Sequence, residues 1–371
     1  MERKPRILFI MHMPPPVHGV AVVGQNIHDS RLINSKYECF YINEAISTDV
    51  SHIGKVGLYK VKSIFDHAKK IKKTIKETKP DLVYITPSAY QPEIGMIRYI
   101  LEFMAINSTG VKKLIHFHNK GIREKCQKWW IRWYYKMLFK NAKVIFIAKG
   151  FEKQFDIYLK ASQILHCPNG IQRSRKIGSS LIKKNNSTPK LLFLSNIMKE
   201  KGVFTLLEAI EQLKAKGLSF TCDFVGSWKD ITEQGFKSYC LQHDIQDIII
   251  AHGPIFGPSK LNFYKEADIF VFPSYNETFG LVLAEAMEYE LPCVTTNEGG
   301  MPMLVEDGYN GYLINRADSK QLADRLEKLI SNAQLRVCMG KASYEKFNRE
   351  FTIDKFEQKL SNCIDKALNN E

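Results

Sequence analysis

The sequence predicts an α/β protein built from two Rossmann-like domains, each with a doubly wound parallel sheet. Its 371 residues exceed the usual span of one hydrophobic core. Short apolar runs alternate with helical patterns in both halves of the chain, and such alternation is typical of parallel sheets. Residues 173–190 lie between the halves, are rich in Ser, Asn and Lys, and have no apolar period. They are predicted to be a linker.

The elements follow from runs of apolar residues that end in polar or glycine-containing loops. Predicted strands lie at residues 6–11, 81–86, 113–117 and 144–147 in the first half, and at 191–195, 220–225, 248–251, 269–272 and 292–295 in the second. Helical patterns begin near Ala21 and lie at 94–104, 123–141, 318–331, 333–348 and 352–369. The predicted boundaries are 1–172 for the first domain, 173–190 for the linker, 191–351 for the second domain and 352–371 for a C-terminal helix.

Composition limits the class of protein. Apolar residues make up 44% of the chain, which is normal for a globular protein. The eight cysteines contain no C-x-x-C pair, so we expect reduced thiols in a cytoplasmic protein rather than a zinc site or a disulfide framework. The sequence predicts no signal peptide, because a strand-like run follows the first few residues directly. No apolar stretch approaches membrane-spanning length, which favours a soluble or peripheral protein.

Residues 273–287 carry most of the predicted chemistry. A buried strand is followed by a polar corner and then by a helix whose first turn holds Thr278 and Gly280. Unpaired backbone N–H groups and the helix dipole attract an anion there, and Gly280 lets that anion approach the backbone. Glu277 precedes the helix, and Glu285 lies roughly 12 Å further along its axis. A diphosphate above the helix start can then present a sugar to one carboxylate and a ribose to the other. The alternative is an ordinary strand, turn and helix with both carboxylates in solvent.

The full string of residues 273–287 resembles the E-x7-E signature of the retaining nucleotide-sugar glycosyltransferases of family 4. The resemblance implies the GT-B fold, in which two Rossmann-like domains face a cleft and the C-terminal helix crosses back to the first domain. It implies that Glu277 contacts the donor sugar as a catalytic residue and that Glu285 contacts the nucleotide ribose. The resemblance places further donor-binding backbone at Thr278, Phe279 and Gly280.

The resemblance extends over nearly the whole chain. His118 follows the strand at 113–117 and matches the family histidine that contacts the donor sugar as a catalytic residue, although a structural histidine is the alternative. Gly19 matches the family loop that faces the acceptor and the donor phosphate. Lys201 matches the lysine of the loop that clamps the donor diphosphate, the alternative being a solvated lysine before a helix. Ile255 lies in the loop where the family holds the nucleobase.

Two positions depart from the family pattern. Asn196 stands where the diphosphate clamp normally has an arginine, so the clamp keeps one formal charge and a compensating cation becomes an open question. His18 replaces a usual glycine beside Gly19. The glycines of this loop, Gly19 and Gly24, do not form G-x-G-x-x-G, which removes the main support for a nicotinamide cofactor.

The formal charge of +14 is unevenly distributed. Residues 60–79 contain eight lysines and two acidic residues, and residues 120–143 contain eight basic residues and one acidic residue, together with three of the four tryptophans. Basic side chains beside tryptophans predict an anionic membrane surface as a partner. The predicted membrane-facing residues are Lys125, Lys128, Trp129, Arg132, Trp133 and Lys136. An amphipathic helix packed on the sheet with its lysines in water is the alternative.

The sequence thus predicts a retaining, hexosyl-type glycosyltransferase that uses a nucleotide-diphosphate sugar and a lipid-linked saccharide acceptor in surface polysaccharide biosynthesis (capsule, O-antigen or exopolysaccharide). It is expected at the inner face of the plasma membrane. Since no D-x-D occurs, neither a metal nor another cofactor is predicted, and Lys201 and helix amides would stabilise the diphosphate. The alternatives are a GT-B-type sugar-nucleotide epimerase and a non-catalytic sugar-nucleotide-binding protein. Nucleic-acid binding is not predicted, because no recognised motif accompanies the basic clusters.

Overall fold

The computed structural model describes residues 3–15, 19–44, 58–89, 93–119, 121, 131–174 and 188–369. The chain divides into two compact units, unit 1 with Met1–Asn169 and Asp354–Glu371 and unit 2 with Gly170–Ile353. Each unit contains a six-stranded sheet whose neighbouring strands are all parallel. The predicted pair of doubly wound parallel sheets is therefore confirmed.

Unit 1 winds in both directions from its first strand. Its strands are β1 (Arg6–Met11), β2 (Glu38–Asn43), β3 (Leu82–Ile85), β4 (Lys112–Phe117), β5 (Ala142–Phe146) and β6 (Ile164–His166), in the order β2-β1-β3-β4-β5-β6. Its helices before the linker are α1 (Gly19–Asp29), α2 (Arg31–Lys36), α3 (Leu58–Thr78), α4 (Glu93–Asn107) and α5 (Arg132–Phe139). Strand order reverses at β1, because the chain passes first to β2 on one side and then to β3 on the other.

Unit 2 has the same kind of winding. Its strands are β7 (Lys190–Leu194), β8 (Thr221–Val225), β9 (Ile249–Gly253), β10 (Ile269–Phe272), β11 (Cys293–Thr296) and β12 (Gly311–Ile314), in the order β12-β11-β10-β7-β8-β9. Its helices are α6 (Val203–Ala215), α7 (Glu233–Gln242), α8 (Leu261–Glu266), α9 (Leu281–Glu288), α10 (Met301–Leu304), α11 (Ser319–Ile330) and α12 (Ala333–Glu350). Here the strand order reverses between β7 and β10.

The C-terminal helix α13 (Ile353–Asn369) belongs, from Asp354 onward, to unit 1. Its apolar side chains are buried, and Asp365 receives a hydrogen bond from the Tyr37 hydroxyl at 2.7 Å and pairs with Lys36. The chain therefore returns to its first unit. Within the described ranges, no helix is both long enough and apolar enough to cross a membrane.

Some elements differ from the prediction. The strands β2, β6 and β12 are not among the predicted ones, and each lies at an edge of its sheet. The helix predicted at 123–141 appears as α5, Arg132–Phe139, while residues 122–130 lie outside the described part of the chain.

Candidate functional site

The carboxyl ends of β7 and β10 form a candidate ligand site in unit 2. These strands are hydrogen-bonded neighbours, and the chain leaves them toward opposite sides of the sheet. In open α/β sheets such a reversal opens a crevice at the carboxyl ends of the strands, where ligands bind. The loop after β7 ends in a short 3-10 turn, Lys199–Lys201, and the loop after β10 carries Glu277. The Tyr275 N–H donates to the Glu200 carbonyl at 2.8 Å, so the backbone itself ties the two loops together.

Lys201 and Glu277 form an ion pair in this crevice. The Lys201 Nζ lies 2.8 Å from Glu277 Oε2, and the side chains keep 19% and 21% of their exposure. The other carboxylate oxygen of Glu277 accepts a hydrogen bond from the Thr278 N–H at 3.0 Å. Both predicted residues therefore lie together, each with its charge balanced by the other while still reachable from solvent.

The start of α9, beside this pair, has the features of an anion-binding site. Gly280 is the residue before α9 and adopts φ +84°, a left-handed conformation that glycine accepts without strain. Phe279 is buried and packs edge-on against Phe351, with ring centroids 5.9 Å apart. Phe279 can therefore offer a ligand only its backbone. The free N–H groups and the positive end of the helix dipole at this start favour an anion.

Glu285, the second predicted carboxylate, has a separate set of partners. The Lys260 Nζ lies 2.8 and 2.9 Å from its two oxygens, and the Tyr264 hydroxyl donates to Oε2 at 2.7 Å. Burial, reinforced by Glu285, raises the pKa of Tyr264 well above its ordinary value, so its hydroxyl stays protonated and remains a donor. Glu285 is held in one orientation by two partners that the sequence did not indicate.

The other predicted donor contacts are more exposed. Asn196 follows β7 and is exposed, while Ile255 is half-buried in the loop after β9. Beside Ile255, the Phe256 ring keeps 76% of its exposure, which makes it a further candidate for contact with a flat ligand.

Arg316 was missed by the sequence reasoning. It follows β12, and its guanidinium lies 5.2 Å from the centre of the Tyr275 ring. The Tyr275 hydroxyl is in turn hydrogen-bonded to Thr205. Since Tyr275 lies two residues before Glu277, Arg316 brings a second cation to the loop that carries the site. It is a candidate for the charge that Asn196 does not supply.

In unit 1, the predicted residue His118 directly follows β4. Its side chain is buried, and burial lowers its pKa to about 4, so it is neutral at neutral pH. The ring lies 4.0 Å from that of His116, whose Nδ1 is 2.7 Å from the Tyr84 hydroxyl. The Nδ1 of His118 is buried without a hydrogen-bond partner. Gly19 is the exposed first residue of α1, and His18 lies outside the described residues.

A buried group of charged side chains near the same edge was not predicted. Glu44, directly after β2, is fully buried; its Oε2 lies 3.0 Å from His12 Nε2, and its Oε1 has no hydrogen-bond partner. Burial raises the pKa of its carboxyl. Arg98 donates to the Glu44 carbonyl at 2.9 Å and to Glu102 Oε1 at 2.6 Å. Thr86 Oγ1, after β3, is likewise buried and unpartnered. Buried polar groups of this kind are costly unless a ligand or water satisfies them.

The predicted membrane-facing residues are only partly described. Lys125, Lys128 and Trp129 lie outside the described residues. Arg132, Trp133 and Lys136 are exposed on α5, and Trp133 keeps 58% of its exposure. Across the ranges that the structure describes, no group of three or more His, Cys, Asp or Glu side chains is placed to hold a metal ion.

Part of the chain matches a known family. Residues 178–346 match the family described as Glycosyl transferases group 1. These residues form a group 1 glycosyltransferase domain. The domain contains all of the unit 2 candidate residues, from Asn196 to Arg316. A segment of 207 residues is 28% identical to the capsular polysaccharide biosynthesis glycosyltransferase CapM of Staphylococcus aureus. This match covers 54% of the chain and only 53% of the length of that relative.

Solved structures extend the likeness to the whole chain. A glycosyltransferase from Rickettsia africae superposes with a TM-score of 0.74 at 18% identity and covers 100% of both chains. Anabaena HepE in complex with UDP gives a TM-score of 0.72 at 16% identity, covering 98% of this chain and 100% of that one. The group 1 domain therefore lies within a GT-B fold, as predicted.

Replacing Gly299 in the group 1 domain by alanine is expected to cost more stability than the same change at Gly308. Both glycines have positive φ, +57° and +79°, so both alanines carry backbone strain of roughly 1–2 kcal/mol. A Cβ at Gly299 would also lie 1.9 Å from the Glu277 carbonyl oxygen, whereas one at Gly308 meets nothing within 4 Å. Urea denaturation measures both free energies of unfolding. Equal losses of unfolding free energy in the two variants would show that the Glu277 loop moves to accommodate the added Cβ at little cost.

Proposed function

We propose that this protein transfers a sugar from a nucleotide-diphosphate donor to a saccharide acceptor. The observation that carries the proposal is the Lys201–Glu277 pair beside the Gly280 helix start, at the strand-order reversal of a group 1 glycosyltransferase domain. A cation, free amides and a carboxylate meet there. These are the groups needed to stabilise a leaving diphosphate and a cationic sugar side by side.

Each group has a distinct role in the proposal. Lys201 and the amides at the start of α9 bind the diphosphate, and Arg316 supplies the second cation. Glu277 contacts the donor sugar, releasing Lys201 to the phosphate when donor binds. Glu285 accepts hydrogen bonds from the ribose hydroxyls, and its Lys260 and Tyr264 partners keep it oriented before the donor arrives. A UDP-bound relative of the same fold supports a nucleoside diphosphate as the ligand class.

The proposed reaction proceeds with retention and without a metal or other cofactor. The bond between the anomeric carbon and the phosphate oxygen breaks, the acceptor hydroxyl attacks from the same face, and its proton passes to the leaving phosphate. Neutral His118 serves as a hydrogen-bond partner for the donor sugar, since its pKa of about 4 keeps it uncharged. The leaving phosphate acts as the general base, because it accepts the proton of the acceptor hydroxyl.

Unit 1 supplies the acceptor side of the proposal. Oε1 of Glu44 and the hydroxyl of Thr86 are buried without hydrogen-bond partners near the reversal at β1. Saccharide hydroxyls both donate and accept hydrogen bonds, so they can supply the partners that these groups lack.

We further propose that the acceptor is lipid-linked, that it belongs to surface polysaccharide biosynthesis, and that the protein works at the inner face of an anionic membrane. The likeness to CapM, whose name refers to capsular polysaccharide, supports the pathway. The exposed Arg132, Trp133 and Lys136 of α5 support the membrane.

When UDP-, GDP- and ADP-sugars are compared, the sugar nucleotides of only one base are expected to raise the thermal unfolding midpoint of the protein. A donor at one hundred times its dissociation constant stabilises the folded state by about 2.7 kcal/mol. The matching nucleoside monophosphate, which lacks the second phosphate for Lys201, is the control and should stabilise less. If no sugar nucleotide shifts the midpoint, the proposed donor site is wrong.

Turnover of the selected donor distinguishes the remaining activities. A transferase leaves the donor sugar unepimerised and, with a lipid-linked saccharide, forms a product whose anomeric configuration is seen by NMR. Epimerised sugar from donor alone would identify an epimerase, and stabilisation without any turnover would identify a binding protein.

A further inference from the structure

The helix α4 exposes apolar side chains on the face that points away from its sheet. Tyr99, Phe103 and Ile106 are buried on the inner side, as expected for a helix packed on a sheet. On the outer side, Ile97 and Met104 keep 53% and 52% of their exposure. These two lie seven residues apart, about two turns, so they form an outward stripe.

Neighbouring helices add to this stripe. The helix α3 packs on one side of α4 and α5 on the other, and right-handed crossovers place all three on the same face of the sheet. Phe65 of α3 keeps 48% of its exposure and Trp133 of α5 keeps 58%. Four large apolar side chains, Phe65, Ile97, Met104 and Trp133, are thus exposed on one layer of packed helices. We call this layer the α3–α5 face.

Lysines border the apolar side chains. Lys62, Lys69, Lys72 and Lys76 are exposed: Lys62 lies three residues before Phe65, and the other three follow it at spacings of four, three and four residues. All four therefore share its side of α3. Lys69, Lys72 and Lys76 line one groove of about 430 Å³, in which Glu77 is the acidic residue. That carboxylate is already 3.7 Å from Lys73. Arg132 and Lys136 are exposed beside Trp133 on α5. The border is therefore strongly cationic.

We propose that the α3–α5 face docks on an anionic lipid bilayer. Exposed apolar side chains at headgroup depth with a lysine border fit such a surface. A second copy of the chain fits poorly, since a twofold interface would press the α3 lysines against an identical patch. The inference rests on the proposed function, for which it names the partner surface and adds α3 and α4 to the membrane-facing residues predicted on α5.

Docking through this face orients the unit 1 sheet edge at which the acceptor is proposed to bind. Because the helix layer covers one face of the sheet, the bilayer lies roughly parallel to that sheet, on the far side of a helix layer about 10 Å thick. The carboxyl ends of β2, β3 and β4, which hold Glu44, Thr86 and His118, then open along the membrane surface. A lipid-linked saccharide reaches them by moving sideways at headgroup level.

Vesicle sedimentation with the full chain tests the proposal without donor or acceptor. The wild-type protein is expected to sediment with phosphatidylglycerol vesicles at low salt, less at 0.5 M salt, and little with phosphatidylcholine vesicles, since salt screens the attraction. The triple variant Lys62→Glu/Lys69→Glu/Lys72→Glu should bind anionic vesicles at least tenfold more weakly. Its matched control, Lys320→Glu/Lys328→Glu/Lys341→Glu, makes the same charge change on exposed residues of unit 2 and should bind within about twofold of wild type.

A second pair of variants separates the apolar contribution. Ile97→Ser/Met104→Ser should weaken binding several-fold, while Leu241→Ser/Val337→Ser, which alters exposed apolar residues of unit 2, should not. The proposal is overturned if wild type ignores anionic vesicles at low salt, or if each variant binds like its control. It is also overturned if sedimentation equilibrium shows a dimer that the α3–α5 face variants dissociate. If the protein binds anionic vesicles but no sugar nucleotide stabilises it, this inference stands and the proposed function is wrong.

Discussion

Replacement of Glu277 by glutamine is expected to lower kcat by about 10² to 10³ while leaving the fold intact. The carboxamide keeps an oxygen for the Thr278 N–H, which is 3.0 Å from the carboxylate in the native protein, but removes the negative charge. In the proposed reaction that charge lies beside a sugar that becomes cationic at the transition state. Loss of one preorganised electrostatic contact of this kind costs about 3 to 4 kcal/mol of transition-state stabilisation. Initial rates at saturating donor measure the loss.

Glu285→Gln is the matched comparison. Glu285 is proposed to bind the ribose, which does not change charge during the reaction, so the variant should raise the donor KM and leave kcat within a few-fold. Lys260 and Tyr264 both contact this carboxylate, and Tyr264→Phe should reproduce part of the KM effect by removing its 2.7 Å hydrogen bond. Near-normal activity in both glutamine variants would contradict the assignment of the site. Equal loss of kcat in both would contradict the division of roles.

How far the fold can be predicted depends on where a strand lies in its sheet. The central strands β1 and β3 are buried, nearly every one of their residues is apolar, and the runs stand out in the sequence. The strands β2 and β6 lie at sheet edges and are mostly half-buried. Their apolar runs are short: four residues within ECFYIN and two within ILH, each next to a polar residue. The edge strand β9 was nevertheless predicted, from residues 248–251. The missed edge strands β2, β6 and β12 are specified by the neighbours with which they pair, and a single sequence does not contain that information.

The candidate site divides in a similar way. Glu277, Thr278, Gly280 and Glu285 follow one another in a single strand-turn-helix, so a local string of residues indicates them together. Arg316 and Lys260 come from other loops, and they join the site only because the sheet brings the carboxyl ends of its strands to one edge. Glu44 was missed because it follows β2, a strand that was itself missed. Groups that act through tertiary contacts need the topology before they can be recognised.

Alanine in place of Lys201 is expected to lower donor affinity by about 1.5 to 3 kcal/mol, which is roughly ten- to more than a hundredfold. A charge-assisted contact to phosphate is of this strength. The loss should be near the upper end of this range, because Asn196 stands where a second clamp cation is expected. Arg316 replaces that cation only in part, since it is exposed and solvent screens its attraction to the phosphates. Isothermal titration with the nucleoside diphosphate selected by the donor panel measures the effect. Lys201→Arg, which keeps the charge, should retain most of the affinity.

The Lys201–Glu277 pair makes a second comparison necessary. Removing Lys201 also leaves the Glu277 carboxylate, with 21% of its exposure, without its 2.8 Å partner, so weaker binding of a sugar nucleotide has two causes. The nucleoside diphosphate without sugar separates them, because it contacts the proposed phosphate clamp and not Glu277. Lys201→Ala should weaken both ligands, Glu277→Gln should weaken only the sugar nucleotide, and Arg316→Ala should weaken both by a smaller factor. If Lys201→Ala binds the nucleoside diphosphate as tightly as wild type does, the cation that holds the phosphates lies elsewhere, and Arg316 becomes the residue to test first.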